Sequence, residues 1–108
     1  YYVGDTAYDK SLFERIVGTH KNIDISIIPI GAYEPYWFMG RIHTRPSEAA
    51  QIHLDLNTKQ SIATHFGTFA LADEAQGEAP AELLATLKTL DIPDAAFLVP
   101  EEGVFYYF

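Results

Sequence analysis

Cysteine is absent from the 108-residue chain. That excludes a disulfide framework and a thiolate metal site, and it leaves the redox compartment open because secreted proteins need not contain disulfides. Basic residues are scarce: seven Lys and Arg stand against fifteen Asp and Glu, for a formal net charge of −8. Grip on a phosphate backbone needs a surplus of Lys and Arg gathered on one face, so nucleic acid is excluded as a partner. No apolar run approaches the roughly 18 residues that span a bilayer, and no transmembrane segment is expected. Internal repeats, low-complexity tracts and linkers are also missing. So are His-Glu-x-x-His, His-x-His and Gly-x-Ser-x-Gly, and no metal or nucleophile motif is complete within the chain.

What is present is a folded domain's composition. Apolar residues make up 48% and aromatics 14%, enough for one hydrophobic core and not for two. The organisation alternates. Tyr1–Val3 reads as a short strand running into the turn Gly4-Asp5-Thr6. Asp9 is an N-cap for a helix with Leu12, Phe13, Ile16 and Val17 on one face and Gly18 as its stop. Ile23–Ile30 is a strand with Pro29 near its end. Residues 31–46, "GAYEPYWFMGRIHTRP", form a long aromatic loop. Pro46 opens a second helix whose Ala49, Ile52, His53 and Leu56 share a face, with Glu48 in its first turn. Ser61–Thr64 is the next strand and "ADEAQGEA" an acidic surface loop. Pro80 opens a third helix with Leu83, Leu84, Leu87 and Leu90 as its stripe. Phe97–Val99 and Val104–Phe108 are read as closing strands, a hairpin across "PEEG". The chain opens and closes on strand-like runs, so it is expected to be a piece of a larger one, with any N-terminal targeting information missing. The expected location is cytoplasmic, peripheral to a membrane at most.

Asp5 and His65 each follow directly on a strand with a glycine close by. Ligands bind at the carboxyl ends of sheet strands, where turn side chains converge. There a carboxylate and a neutral imidazole suit a divalent metal. The bland alternatives are common: Asp-Thr after a strand is more often a turn or cap, and a lone His more often hydrogen-bonded filler. His43, just ahead of a helix start, is either a plain loop residue or a general acid/base. His53 reads as a partly buried structural residue, and His20 as a solvent-facing complement to a helix dipole. The aromatic segment is either a substrate wall or a plug over the core. Ser61 and His65 would share a strand face but stand roughly 13 Å apart, which rules them out as a nucleophile–base pair.

"GDTAYD", "IPIGAYEPYWFM" and "HTRPSEAAQIHLDLNTKQSIATHFGTFALADE" occur in this order. In this they resemble the metallo-β-lactamase-fold hydrolases, in the branch of the N-acyl-phosphatidylethanolamine-hydrolysing phospholipases D. The resemblance implies an α+β fold for residues 1–108: the C-terminal half of an αββα sandwich, a mixed sheet with about three helices. It implies that Asp5 bridges two divalent ions, zinc or else manganese or iron, and that His65 ligates one of them. His43 and Asp5 become catalytic candidates, and Tyr33, Glu34 and Trp37 substrate-binding ones. The implied reaction is hydrolysis of a phosphodiester, lipid or small molecule, by a hydroxide held between the metals.

The family's upstream His-x-His-x-Asp-His ligands are not in this sequence. The chain alone is therefore expected to be inactive, and to self-associate through the uncovered inner face of its sheet. The competing expectation is a non-catalytic interaction domain that keeps the fold without a working metal site.

Overall fold

The computed structural model describes residues 1–108 as helices laid on one face of a small parallel sheet. In chain order the elements are α1 (Lys10–Thr19), β1 (Ile25–Pro29), α2 (Tyr36–Met39), α3 (Pro46–Asp55), β2 (Gln60–Thr64), α4 (Glu78–Thr89) and β3 (Phe97–Leu98). The sheet order is β1-β2-β3, with both pairs parallel. Tyr1–Val3 adds an outer rail to β1. Tyr2 bridges Ile27 in parallel, the Val3 N–H donates to the Ile27 carbonyl at 3.0 Å, and the Ile27 N–H donates to the Tyr1 carbonyl at 2.8 Å. Parallel neighbours need long crossovers, and helices supply each of them.

Register decides which face is dry. Ser26 lies opposite Ser61 and Ser61 opposite Phe97, while Ile28 lies opposite Ala63. All five are buried, under α3 and its neighbours. The opposite face carries Ile25, Ile27, Ile62 and Leu98, none of them fully covered. Ala49, Ala50, Ile52, His53 and Leu56 bury the inner face of α3. Phe13 from α1 and Leu83 and Leu87 from α4 close the core on either side of it. A buried aliphatic or aromatic side chain contributes about 1.5–3 kcal/mol, so this cluster dominates the favourable side of folding.

The local signals act largely as their chemistry dictates. Asp9 caps α1, its carboxylate accepting from the Ser11 and Leu12 N–H groups at 2.9 and 3.3 Å. Pro46 stands at the start of α3, and Glu48 accepts the Arg45 N–H at 3.2 Å. Pro29 is the last residue of β1, where its missing N–H costs nothing. Several boundaries differ from expectation. Gly18 does not stop α1, which runs to Thr19 and is closed by the His20 N–H donating to the Ile16 carbonyl. The aromatic segment is not all loop, because Tyr36–Met39 forms a single helical turn. Helix α4 starts at Glu78, ahead of Pro80, after Gly77 takes a φ of 86°. Leu84 and Leu90 are partly exposed, so the stripe of α4 narrows to Leu83 and Leu87. The closing hairpin is absent: β3 pairs with β2, while Val104–Phe108 forms no strand and leaves Phe105 and Tyr107 in solvent. Without a second layer to bury them, consecutive aromatics alone do not hold a strand.

His53 is buried, as its place among apolar neighbours suggested, and it has a partner. Its Nδ1 lies 2.8 Å from the Ser61 hydroxyl, which lies 2.8 Å from that of Ser26. Desolvation holds the His53 pKa below the ordinary histidine value. The unfolded chain therefore takes up a proton, near its pKa of about 6.5, that the folded chain refuses. Stability supplied by neutral His53 is complete above that pH and is lost as the pH falls toward the depressed folded value. Urea unfolding at pH 7.5 and 5.5 is expected to show a steeper loss for wild type than for His53→Gln. Equal slopes would dismiss the role assigned to this imidazole.

Candidate metal centre

Because the rail at Tyr1–Val3, β1 and β2 run parallel, their carboxyl ends emerge along one edge. Each delivers one side chain there. Asp5 follows the rail through Gly4, whose φ is 72°. His65 is the first residue beyond β2. His43 lies downstream of β1 in the turn between α2 and α3, where its N–H and that of Ile42 donate to the Met39 carbonyl. The adjoining Thr44 is buried, its hydroxyl donating at 3.0 Å to the carbonyl of Pro29 at the end of β1.

One metal-capable atom from each of Asp5, His43 and His65 lies within 4.8 Å of the others. The Asp5 Oδ1 stands 3.5 Å from the His65 Nε2. The two imidazoles stack with ring centroids 5.1 Å apart at 27°. Asp5 is well exposed, its side chain 65% accessible, while that of His65 is 22% accessible. The Nδ1 atoms of His43 and His65 are buried and have no hydrogen-bond partner. An unpaired buried polar atom costs about 1–3 kcal/mol, so each of these nitrogens is left uncompensated. The donor set fits a borderline divalent cation: one anionic oxygen and imidazole nitrogens, with no sulfur.

The backbone at this edge is tightly constrained. His65 holds a φ of 62° and Ala32 one of 64°, both in the left-handed region that favours glycine. Gly31 lies directly against the His65 carbonyl, and a Cβ built on it would stand 2.1 Å from that oxygen. The remaining residues singled out from the sequence lie around this edge in different roles. Tyr33 is core, 2% accessible, and burial reinforced by the Glu82 carboxylate pushes its phenol well above the ordinary tyrosine range. Glu34 turns its carboxylate to the Tyr36 N–H at 3.1 Å, capping the start of α2. Trp37 is 78% accessible, with the Phe38 ring 5.8 Å away. The structure thus brings Asp5, His43 and His65 together, and gives Tyr33, Glu34 and Trp37 other partners.

Glu74 was not singled out from the sequence. It sits in the acidic stretch taken for solvated surface, yet its two carboxylate oxygens accept the Ala32 and Glu34 N–H groups, the latter at 3.1 Å. A carboxylate inside "ADEAQGE" carries no local mark that sets it apart from its neighbours. The Tyr36 hydroxyl likewise donates to Glu48, and the Arg45 guanidinium lies 4.2 Å over the Tyr36 ring, locking α2 to α3.

Residues 1–66 match the family model for the beta-lactamase superfamily domain. The chain is 33% identical over 105 residues to the N-acyl-phosphatidylethanolamine-hydrolyzing phospholipase D 1 of Caenorhabditis elegans, an alignment covering 95% of this chain and 30% of that protein. It is 42% identical over 88 residues to an uncharacterized protein of Mycobacterium tuberculosis, covering 79% of this chain and 23% of the other. To the mitochondrial N-acyl-phosphatidylethanolamine-hydrolyzing phospholipase D of Saccharomyces cerevisiae it is 36% identical over 75 residues, 68% of this chain and 16% of the relative. The chain spans less than a third of the length of these curated relatives.

The Gly31 contact is open to test. Gly31→Ala forces backbone apart at His65 and is expected to cost about 1–3 kcal/mol, the range for overpacking. Urea unfolding of the two proteins measures it. A variant as stable as wild type would show that the approach of Gly31 to His65 is not the constraint described.

Proposed function

The chain belongs to the beta-lactamase superfamily, and from that footing we propose that it supplies part of a divalent-metal centre in a hydrolase. The observation that carries the reading is the meeting of Asp5, His43 and His65 at one sheet edge, two of them with unpartnered buried nitrogens. When bound, a pair of divalent ions polarises the attacked oxygen and lowers the pKa of a water. The chain's own contributions are distinct. Asp5 offers an exposed carboxylate able to bridge two cations. His65 offers a nitrogen from a rigid, left-handed backbone. His43, stacked on His65, is placed to hold or pass a proton at its ring nitrogen. Three donors are too few for a two-ion site, since a catalytic zinc commonly takes about three protein ligands of its own. The chain alone is accordingly inactive, and the remaining ligands come from elsewhere in the functional protein.

For substrate we propose a phosphodiester, with a lipid as the class the relatives favour; two of them are named as phospholipid hydrolases. Trp37 and Phe38 support this, as exposed rings in the segment that leads to His43 and able to meet acyl chains. Tyr33 and Glu34 shape the same segment from beneath.

Metal analysis of the full-length protein beside Asp5→Asn and His65→Ala tests the assignment. Both variants are expected to retain less metal, and to lose hydrolysis of a lipid phosphodiester by about two orders of magnitude or more, since loss of a ligand's outer partner already costs about 10–100-fold. Unchanged metal content in both would remove its basis and favour a non-catalytic interaction domain. The open sheet face of Ile25, Ile27, Ile62 and Leu98 has a separate consequence, because parallel sheets are ordinarily covered on both sides. The 108-residue chain alone is expected to self-associate in light scattering, and a monomer at high concentration would count against that.

A further inference from the structure

We propose that Glu74 is a positioning residue that sets the spacing of His43 and His65. The inference rests on the metal-centre reading for its consequence, but not for its geometry. The two histidines come from separate segments, one leaving β1 and one leaving β2. No direct hydrogen bond joins them, and stacking alone fixes neither ring's distance from Asp5. Segment 73–74 supplies the missing tie. The Asp73 N–H donates to the Glu34 carbonyl at 3.1 Å, and the Glu74 carboxylate receives the N–H groups of both Ala32 and Glu34.

Each end of this clamp leads to one histidine. Toward His65, Ala32 is held in its left-handed turn, and the preceding Gly31 presses on the His65 carbonyl. Toward His43, Glu34 passes the restraint on through its own carboxylate to the Tyr36 N–H, at the first turn of α2. Helix α2 then ends at Met39, whose carbonyl takes the His43 N–H at 2.8 Å. A charged acceptor serving two backbone donors is stronger than a neutral one and fixes both distances at once. Removing it leaves two partly buried N–H groups unpaired and lets the two loops slide past each other. Groups outside the direct ligands commonly change metal affinity 10–100-fold when lost.

The test uses the full-length protein, first metal-free and then titrated with Zn2+. Glu74→Ala removes the clamp. Glu74→Gln keeps its shape, accepts from one N–H and sets an amide donor against the other, so it serves where the alanine variant folds poorly. In the metal-free state, hydrogen exchange in residues 30–43 is expected to quicken, and the imidazole signals of both His43 and His65 to move. Zinc affinity is expected to fall about tenfold in Glu74→Ala and less in Glu74→Gln, at unchanged circular dichroism. Quicker exchange with unmoved imidazole signals and unchanged zinc affinity would reduce Glu74 to a structural role and overturn the proposal, as would unchanged exchange. If wild type takes up no zinc, the metal reading fails, and the imidazole signals alone decide for or against the clamp.

Discussion

Parallel pairing is the constraint on which the rest depends. Had the rail at Tyr1–Val3 run antiparallel to β1, Asp5 would lie at the opposite end of the sheet from His65. With Tyr2 bridging Ile27 in parallel and Ile25–Pro29 in parallel with Gln60–Thr64, the chain ends each strand at the same edge. Crossover helices are the topological requirement of that arrangement, and their burial against one sheet face supplies the core. Site and core are therefore two results of one pairing rule.

A division of labour follows along the strand axis. Midway along the sheet, polar groups are paired and hidden, as in the Ser26–Ser61–His53 chain under α3. At the carboxyl edge some polar atoms stay unpaired, as the buried Nδ1 atoms of His43 and His65 show. Two histidines of the same chain, twelve residues apart, thus meet opposite fates. His53 has a hydroxyl partner and little solvent, and its burial favours the neutral form. His65 has a carboxylate near one nitrogen and nothing near the other.

Much of this was legible in the residues. Asp9 and Pro46 marked helix starts because capping and the missing proline N–H are local matters, settled within a turn. The β-branched run ending at Pro29 marked a strand for equally local reasons. Asp5, His43 and His65 stood out less by their own signals than through the motifs around them. What escaped notice depends on long-range partners. Nothing within "ADEAQGE" reveals that one carboxylate reaches back 42 residues to Ala32 and 40 to Glu34. The helical turn at Tyr36–Met39 was hidden for the same reason, since it is held by Glu34 ahead of it and by Glu48 and Arg45 beyond. The closing aromatics erred the other way. Their aromatic run is strand-like, but a strand needs something to lie against, and Phe105 and Tyr107 stand in solvent.

The rail carrying Asp5 pairs with the outer side of β1 through Tyr1 and Val3, and Val3 packs against the core. The imidazoles are half-buried in the body of the molecule while the carboxylate stands in solvent. An incoming cation would thus meet the wet carboxylate first and the sheltered nitrogens after it.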